Sequence, residues 1–381
     1  MMKNKYPFIF VHGMFGWGEK IGMDKLSPYW GGTTGSLVKY LRKENFECYS
    51  ASVGPVGSAW DNACELYAQL MGTRVDYGKA HSEAHGHSRY GRTYKKPLCE
   101  GFGERRFHLI GHSHGGQVIR LLTHLLTYGS AEEMAATDAE DVSPLFTGGK
   151  ESYIESVTCI CSPHNGSTIY QVVDDKNLVH TLGRFTDFMM GLLGRTPLHG
   201  RLVDYQFEQF GLTPVKGEFK PDKLFTAMNR IRDGEDYVLS DLSLRGAYAL
   251  NQIIEISSNV HYLSYAANGC TGEKHKAKNM NFPLLKFFSY VLVRLALPED
   301  DFGISFDESW RANDGLVNTE SAKKPVDEPS REFDGSFEKG IWNVMPVLPC
   351  DHGMATGLFA GKKKTRKFYS ELGNMLSELE N

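Results

Sequence analysis

The chain has 381 residues, 41% of them hydrophobic, which is enough to bury a large core as one α/β domain with insertions or as two domains. Its 42 lysines and arginines against 46 aspartates and glutamates leave a net charge of −4, so nothing indicates a nucleic-acid partner. The most apolar stretch, residues 282–297, is too short and too often interrupted by charges and proline to predict a transmembrane segment.

Strand and helix patterns alternate along the chain. An apolar run at 8–11 predicts the first strand, and a helix pattern at 36–43 leads to a strand near 48–53. Later strands are predicted just before residue 111, at 156–161 and at 261–265. This order favours a single domain over residues 1–381, with a mainly parallel sheet flanked by helices on both faces. Two stretches, 61–94 and 174–237, break the alternation and are interpreted as insertions at one rim of the sheet.

The seven cysteines are odd in number and widely scattered. Cys159 and Cys161 lie two apart in a predicted strand rather than in a CxxC pair, so we expect buried free thiols. Met1 is followed almost at once by the first predicted strand, and we therefore expect no secretory signal.

The sequence Gly-His-Ser-His-Gly at 111–115 lies between a short apolar run and a helix pattern. Gly-x-Ser-x-Gly in this strand–turn–helix setting is typical of a nucleophile elbow, a turn too tight for larger neighbours of the serine. Ser113 is therefore the candidate nucleophile, with helix amides behind it that favour a developing negative charge. The motif alone also arises by chance in a chain with 40 glycines.

Acyl transfer to a serine needs backbone N–H donors directed at the oxyanion of the tetrahedral intermediate. One donor is the amide of the residue after the nucleophile, His114. The natural second donor is the amide of Met14, in the glycine-rich loop at 12–18 after the first strand. The alternative is a glycine-rich turn without a catalytic part.

An acid and then a histidine are expected to follow the serine along the chain. His352 is the only histidine after His275, and it follows an apolar run, so it is the candidate base. Sequence order leaves the acid open among Asp301, Asp307, Asp314 and Asp334.

A set of motifs spread over the chain resembles one family, the thermoalkalophilic bacterial lipases of Geobacillus type with their staphylococcal and clostridial relatives. The motifs are His12-Gly13-x-x-Gly16-Trp17-Gly18, Val53-Gly54-Pro55, Ser58-Ala59-Trp60-Asp61, Val75-Asp76-Tyr77-Gly78, His85-Gly86-His87, 90–94, 111–116, 163–167, Asp241-Leu242-Ser243, 313–319 and Asp351-His352. The resemblance covers nearly the whole chain. It implies an α/β-hydrolase fold, hydrolysis of carboxylic esters, and a triad in which Asp314 is the acid and His352 the base for Ser113.

The stretch 61–94 holds Asp61, His81, His85 and His87. Imidazole and carboxylate suit Zn²⁺, although clustered histidines in a polar loop are more often solvated. The resemblance implies a zinc ion on Asp61, His81, His87 and Asp241, with His85 a spectator. Two carboxylates and two neutral imidazoles complete a neutral tetrahedral shell, so the zinc is expected to be structural and to pin the insertion to the main domain.

The chain departs from the family at two places. Members with a calcium site carry a glutamate and an Asp-Pro pair shortly after the catalytic histidine, where Met354 and Phe359-Ala360 stand here, so we expect no calcium site. Residues 270–298 differ in composition, with three lysines before an apolar run, and the sequence assigns them no role.

The insertion 174–237 carries apolar residues at helix-like spacing. They are Leu178, Leu182, Phe185, Phe188, Met189 and Leu192. Core packing is the ordinary interpretation of such a stripe. In a lipase, a helix of this kind can cover the site in water and open at a lipid surface, so a helical lid is predicted here.

These observations predict a triacylglycerol lipase that forms an acyl-enzyme on acylglycerols or other esters at a lipid–water interface. The alternatives are a short-chain carboxylesterase or polyesterase of the same mechanism, a zinc-dependent hydrolase, and a non-catalytic lipid-binding relative. Relatives are exported whereas this chain shows no leader, so the sequence leaves the compartment, the cytoplasm included, and the oligomeric state open.

Overall fold

The computed structural model describes residues 2–19, 21–171, 204, 206–211 and 235–380. The predicted lid residues, Leu178 to Leu192, lie outside the described residues. Within the described ranges, no helix has the length and apolar character that crossing a membrane requires.

A seven-stranded sheet forms the centre of the molecule. The strands of the structure are β1 (Phe8–Val11), β2 (Cys48–Ala51), β3 (Arg74–Asp76), β4 (Tyr90–Thr93), β5 (Phe107–His112), β6 (Ile154–Ile160), β7 (His261–Tyr265), β8 (Ser330–Glu332) and β9 (Trp342–Val344). The large sheet has the order β2-β1-β5-β6-β7-β9-β8, and all its neighbours are parallel. Strands β1, β6 and β7 are buried at every position, as expected for central strands covered on both faces. Strands β3 and β4 form a separate antiparallel pair.

Helices cover both faces of the large sheet. The described α-helices are α1 (Gly22–Leu26), α2 (Leu37–Lys43), α3 (Ala59–Met71), α4 (Lys79–His85), α5 (His114–Tyr128), α6 (Ala131–Ala136), α7 (Val238–Leu242), α8 (Leu244–Ile253), α9 (Pro283–Arg294), α10 (His352–Thr356) and α11 (Lys362–Glu378). On one face, Leu66 of α3 and Leu122 of α5 belong to one buried cluster with β1 and β5. On the other face, Leu41 of α2 and Leu372 of α11 belong to a second cluster.

The parallel arrangement brings distant segments to one edge of the sheet. The loops that leave the carboxyl ends of β1 and β5 begin at His12 and Ser113. The segment after β7 passes through Ala267, which bridges to Leu348 on the chain that leaves β9. Open α/β sheets bind their ligands at this carboxyl edge.

The structure confirms most of the predicted elements. Strands β1 and β7 have the predicted bounds, and the helix predicted at 36–43 is α2, capped by Ser36. The apolar stretch 282–297 contains the helix α9 (Pro283–Arg294), with proline in its first turn. Residues 61–71 belong to α3, one of the helices that cover the large sheet. The predicted insertion 61–94 therefore departs from this helical layer only after residue 71. All seven cysteines are buried and free, as expected.

Buried histidines make the stability of this fold sensitive to acid. Burial lowers the pKa of His12 to about 4. Burial and the positive charge of Arg120 lower the pKa of His164 well below 6.5. The folded chain keeps these rings neutral, whereas the unfolded chain takes up protons near pH 6.5. The free energy of unfolding should therefore fall as the pH drops from about 7 towards 4.

The variant His164→Phe tests this dependence, because it keeps an aromatic ring against Trp342, whose centroid lies 4.6 Å from that of His164. Between pH 7 and pH 5, urea denaturation should show a drop in the free energy of unfolding that is smaller by about 2 kcal/mol in the variant than in the native chain. Equal drops in the two proteins would show that His164 does not contribute.

Candidate active site

Ser113 occupies the turn between β5 and α5 with φ 56° and ψ −129°, a conformation that is strained for a residue with a side chain. The neighbouring glycines make room for this turn. A Cβ on Gly111 would lie 2.4 Å from the carbonyl oxygen of Gly115, and a Cβ on Gly115 would lie 2.4 Å from that of Val11. The amide of Ser113 donates to the carbonyl of Ile160 (2.9 Å), which ties the turn to β6. The predicted elbow is therefore present at the carboxyl edge.

The structure brings Asp314 and His352 into direct contact. Nδ1 of His352 donates to Oδ2 of Asp314 (2.7 Å), and both side chains are buried. Oδ1 of Asp314 accepts from the amides of Leu316 (3.0 Å) and Val317 (2.8 Å), which fixes the carboxylate. Because an ionised carboxylate only accepts, this bond leaves Nε2 of His352 as the basic nitrogen of the neutral ring.

The other acids that sequence order left open lie on exposed loops. Asp301 accepts from the amide of Phe302, Asp307 from that of Ser309, and Asp334 from that of Ser336. Each of them stabilises its own turn. Among the four candidates, Asp314 is the one whose carboxylate bonds to His352.

The loop after β1 passes directly against the elbow. A Cβ on Gly13 would lie 2.7 Å from Cβ of Ser113 and 2.9 Å from the carbonyl oxygen of His112, so only glycine allows this approach. The amide of Met14 follows at once, and the amide of His114 is the first of α5. Within the described part of the chain, neither amide has a hydrogen-bond acceptor. The two predicted oxyanion donors thus belong to the residue after Ser113 and to the residue after Gly13, which packs against Ser113.

A buried network that the sequence did not reveal connects these loops. The amide of Gly13 donates to the hydroxyl of Tyr29 (2.9 Å), which contacts Nδ1 of His112 (2.7 Å). Nε2 of His112 contacts the carbonyl oxygen of His352 (3.1 Å). A carbonyl only accepts, so Nε2 of His112 carries the proton and Nδ1 accepts from Tyr29. Burial and the charge of His352 lower the pKa of His112 well below 6.5, which keeps this ring neutral.

Four side chains form a group that can hold a metal ion: Asp61, His81, His87 and Asp236. Nε2 of His81 lies 3.3 Å from Oδ1 of Asp61 and 3.4 Å from Oδ2 of Asp236, and Nε2 of His87 lies 3.8 Å and 3.4 Å from the same atoms. All four atoms are buried without a hydrogen-bond partner. Such orphaned atoms are costly unless a cation binds them, so the group fits a metal.

The structure places Asp236, rather than the predicted Asp241, in this group. Oδ2 of Asp241 accepts from the amide of Ala59 (2.6 Å) and lies 3.0 Å from Nε2 of His114. The reason is the position of α7. Asp236 precedes this helix and faces the histidines, whereas Asp241 lies in its last turn and faces the start of α3. His85 is outside the group, as expected.

Neighbouring groups shift the pKa values of His81 and His87 and fix the orientation of their rings. Burial lowers the pKa of His81, but the carboxylates of Asp236 and Asp61 outweigh it and raise that pKa to about 9. Protons therefore compete with a metal for these nitrogens, and binding of a metal releases them. The ring of His81 also stacks on Trp60 at 5.1 Å, and Nδ1 of His87 lies 3.0 Å from the carbonyl oxygen of Ser88. These contacts fix the direction of both imidazoles.

The whole chain is similar to several known structures. The crystal structure of Staphylococcus hyicus lipase is 34% identical, with a TM-score of 0.84, over 100% of this chain and 97% of that chain. Lipase 1 from Pelosinus fermentans is 35% identical, with a TM-score of 0.80, over 98% and 99% of the two chains. EstA from Clostridium botulinum is 33% identical, with a TM-score of 0.85, over 99% and 88%. The fold is therefore that of the α/β hydrolases, as predicted.

Curated sequences agree with this result. The lipase of S. hyicus is 34% identical over 99% of this chain, and the lipase of Staphylococcus epidermidis is 32% identical over 91%. The chain spans about half the length of these relatives, 58% and 49% respectively. A family model described as "Lipase-like, C-terminal domain" matches residues 4–381. The chain therefore belongs to the lipase family that contains the staphylococcal lipases.

Proposed function

We propose that this chain hydrolyses carboxylic esters, chiefly acylglycerols, with Ser113 as nucleophile, His352 as base and Asp314 as acid. The observation that supports it most is the buried bond between Nδ1 of His352 and Oδ2 of Asp314 (2.7 Å). The ring of His352 lies 4.5 Å from the ring of His112, the residue before the strained Ser113 turn. Relatives at 32–34% identity that carry the name lipase point to the same activity.

In this mechanism, His352 removes the proton of the Ser113 hydroxyl as its oxygen attacks the ester carbonyl. The imidazolium that forms is stabilised by the ionised Asp314, which also keeps the proton of the neutral ring on Nδ1. His352 then protonates the leaving alcohol, which leaves an acyl-serine. A water molecule, deprotonated by the same imidazole, attacks the acyl-serine. The imidazolium then returns the proton to the Ser113 oxygen as the bond between this oxygen and the acyl carbon breaks, which releases the carboxylic acid and regenerates Ser113.

The amides of Met14 and His114 would donate to the oxyanion at both tetrahedral stages. Little free energy is needed to position these amides, because α5 holds that of His114 and the loop after β1 holds that of Met14. Tyr29 and His112 are positioning residues in this proposal. They link the amide of Gly13 with the carbonyl oxygen of His352. In this way they hold the loop after β1 and the loop of His352 in a fixed relative position.

We propose that Asp61, His81, His87 and Asp236 bind a structural zinc ion. When bound, zinc would act as a four-coordinate cross-link, and two carboxylates with two neutral imidazoles balance its charge. The four ligands come from α3, the stretch after β3 and the segment before α7, so the ion would join three separate parts of the chain.

Acylglycerols are the proposed substrates because the similar proteins are named lipases. The apolar residues Leu178 to Leu192 stay a predicted lid over this site. A short-chain carboxylesterase would use the same residues, and the rate on a series of nitrophenyl esters of rising chain length, compared with that on emulsified triglyceride, separates the two substrate classes.

Replacing the nucleophile tests the proposed mechanism. Ser113→Ala should lower the turnover of nitrophenyl esters on the order of a million-fold, because no other group can form the acyl-enzyme. The native chain should be labelled stoichiometrically by a serine-directed phosphonate, as measured by intact mass, and the variant should not. If the variant kept its activity and a chelator abolished it, the zinc-dependent hydrolase would be the correct function.

The Tyr29 network makes a separate prediction. Tyr29→Phe removes the hydroxyl between Gly13 and His112, so kcat should fall about tenfold, with little change in KM, because binding is not affected while alignment is. Tyr128→Phe is a matched control, since that hydroxyl donates to the carbonyl of Ile256 at the far end of α5 (2.9 Å). Equal kcat values in the two variants would refute the positioning role.

The zinc content of two variants distinguishes Asp236, a proposed ligand, from Asp241, which lies outside the metal group. Asp236→Asn should lose most of its zinc and unfold at a lower temperature, with no further decrease on adding a chelator. Asp241→Asn should keep one zinc per chain, because its carboxylate bonds to Ala59 and His114 instead. Elemental analysis combined with thermal melts provides both values. Full zinc in Asp236→Asn would contradict the assigned ligand set.

A further inference from the structure

Helix α9 presents an apolar face to solvent. Leu284, Phe287 and Tyr290 are 42%, 60% and 56% exposed, and their spacing puts them on one side of the helix. Its opposite side, with Leu285 and Leu292, is buried against the domain. Large exposed aromatic side chains that are grouped in this way indicate an interaction surface. We call Leu284, Phe287 and Tyr290 the α9 face.

Helix α9 is attached to the two loops that carry the acid and the base. Leu285 lies so close to Gly315, the residue after Asp314, that a Cβ there would be 2.8 Å from the Cβ of Leu285. Oδ2 of Asp351, the residue before His352, accepts from the amides of Asn281 (2.6 Å) and Phe282 (3.2 Å), just before α9.

A second contact is made by the middle of the helix. The hydroxyl of Ser289 lies 3.4 Å from the thiol of Cys270, and that thiol lies 3.6 Å from the carbonyl oxygen of Asn313, the residue before Asp314. Both loops of the candidate triad therefore contact the buried side of α9 or the residues just before it, and the α9 face lies on the outer side of the same helix.

The segment around the α9 face is strongly basic. Residues 270–298 contain Lys274, Lys276, Lys278, Lys286 and Arg294 against the single acid Glu273, which gives the segment +4 in a chain of −4. The five basic residues are exposed. Three acids, Glu299, Asp300 and Asp301, follow the segment directly beyond the carboxyl end of α9. Asp300 accepts from Ser305 and Phe306, and Asp301 accepts from Phe302.

We infer that the α9 face binds an anionic lipid–water surface and so places the active site at its substrate, an inference that rests on the proposed lipase function. An amphipathic helix in such a position inserts aromatic and aliphatic side chains at the headgroup boundary, while lysines contact the anionic headgroups. A second copy of the chain is a poorer partner, because it would bring the same positive charge against itself.

Binding to vesicles tests this inference without requiring catalysis. The native chain should cosediment with vesicles of phosphatidylcholine and phosphatidylglycerol more strongly than with phosphatidylcholine alone, and less strongly in high salt. Phe287→Ser combined with Tyr290→Ser should bind about tenfold more weakly or worse, because the inserted side chains are lost. Lys274→Gln, Lys276→Gln and Lys278→Gln together should weaken only the binding to the mixed vesicles.

Ile253→Ser is the matched control. Ile253 is 47% exposed at the end of α8, the helix that leads into the amino end of β7, and therefore lies at the opposite edge of the sheet. This variant should bind vesicles like the native chain. All variants should keep the native thermal midpoint and the native rate on a dissolved short-chain ester, because none of these side chains belongs to the candidate site.

Several results would overturn the inference. They are a double serine variant that binds like Ile253→Ser, native binding that is indifferent to phosphatidylglycerol, and self-association by sedimentation velocity that disappears in the double variant. If the chain did not bind vesicles but hydrolysed esters normally through Ser113, the lipid-binding role of the α9 face would be refuted and the proposed function would stand. If the chain bound anionic vesicles but did not hydrolyse esters, the lipid-binding role of the α9 face would be supported and the proposed function would be refuted.

Discussion

The hydrogen bond between the Asp314 carboxylate and the His352 imidazole sets the geometry on which the rest of the site depends. Each partner is held at its other end, Asp314 by two backbone amides and the carbonyl oxygen of His352 by the ring of His112. Because these groups are buried, removing one partner leaves the others unsatisfied, which costs more than the bond itself. Asp314, His352, the Ser113 turn and the loop after β1 are therefore expected to behave as one cooperative unit.

The segment that contains Asp236 and α7 connects this unit with the metal group. Asp236 belongs to the set of four potential ligands, and Asp241 contacts the imidazole of His114, whose amide is a candidate oxyanion donor. Asp241 also accepts from the amide of Ala59, the first residue of the helix that carries Asp61. A cation that fixes Asp236 and Asp61 would thereby stabilise the elbow from behind without touching a reacting atom.

The sequence predicted best what depends on local pattern. Strands β1 and β7 were recognised with their bounds because both faces of a central parallel strand are buried, which leaves a short continuous run. The elbow was recognised because its glycines are required by contacts inside the turn. Asp314 could be chosen as the candidate acid only with the help of a resemblance, since order along the chain did not separate it from three exposed aspartates.

The failures concern contacts that pattern does not encode. The fourth member of the potential metal group depends on the direction in which the chain enters α7, and it is Asp236 rather than Asp241, five residues later. Tyr29 is 83 residues from His112, and nothing in the sequence around either residue signals their bond. The basic, apolar segment 270–298 was noticed but not interpreted, because its meaning lies in its attachment to the loops of Asp314 and His352.

The seven unpaired thiols have a consequence for how this protein can be handled. Burial raises the pKa of Cys48, Cys159 and Cys350 to about 12, so almost none of these sulfurs is present as the nucleophilic thiolate at neutral pH. Disulfide exchange and alkylation require that thiolate and access to it. The covalent framework of the domain should therefore be the same in the presence of glutathione, air or a mild oxidant.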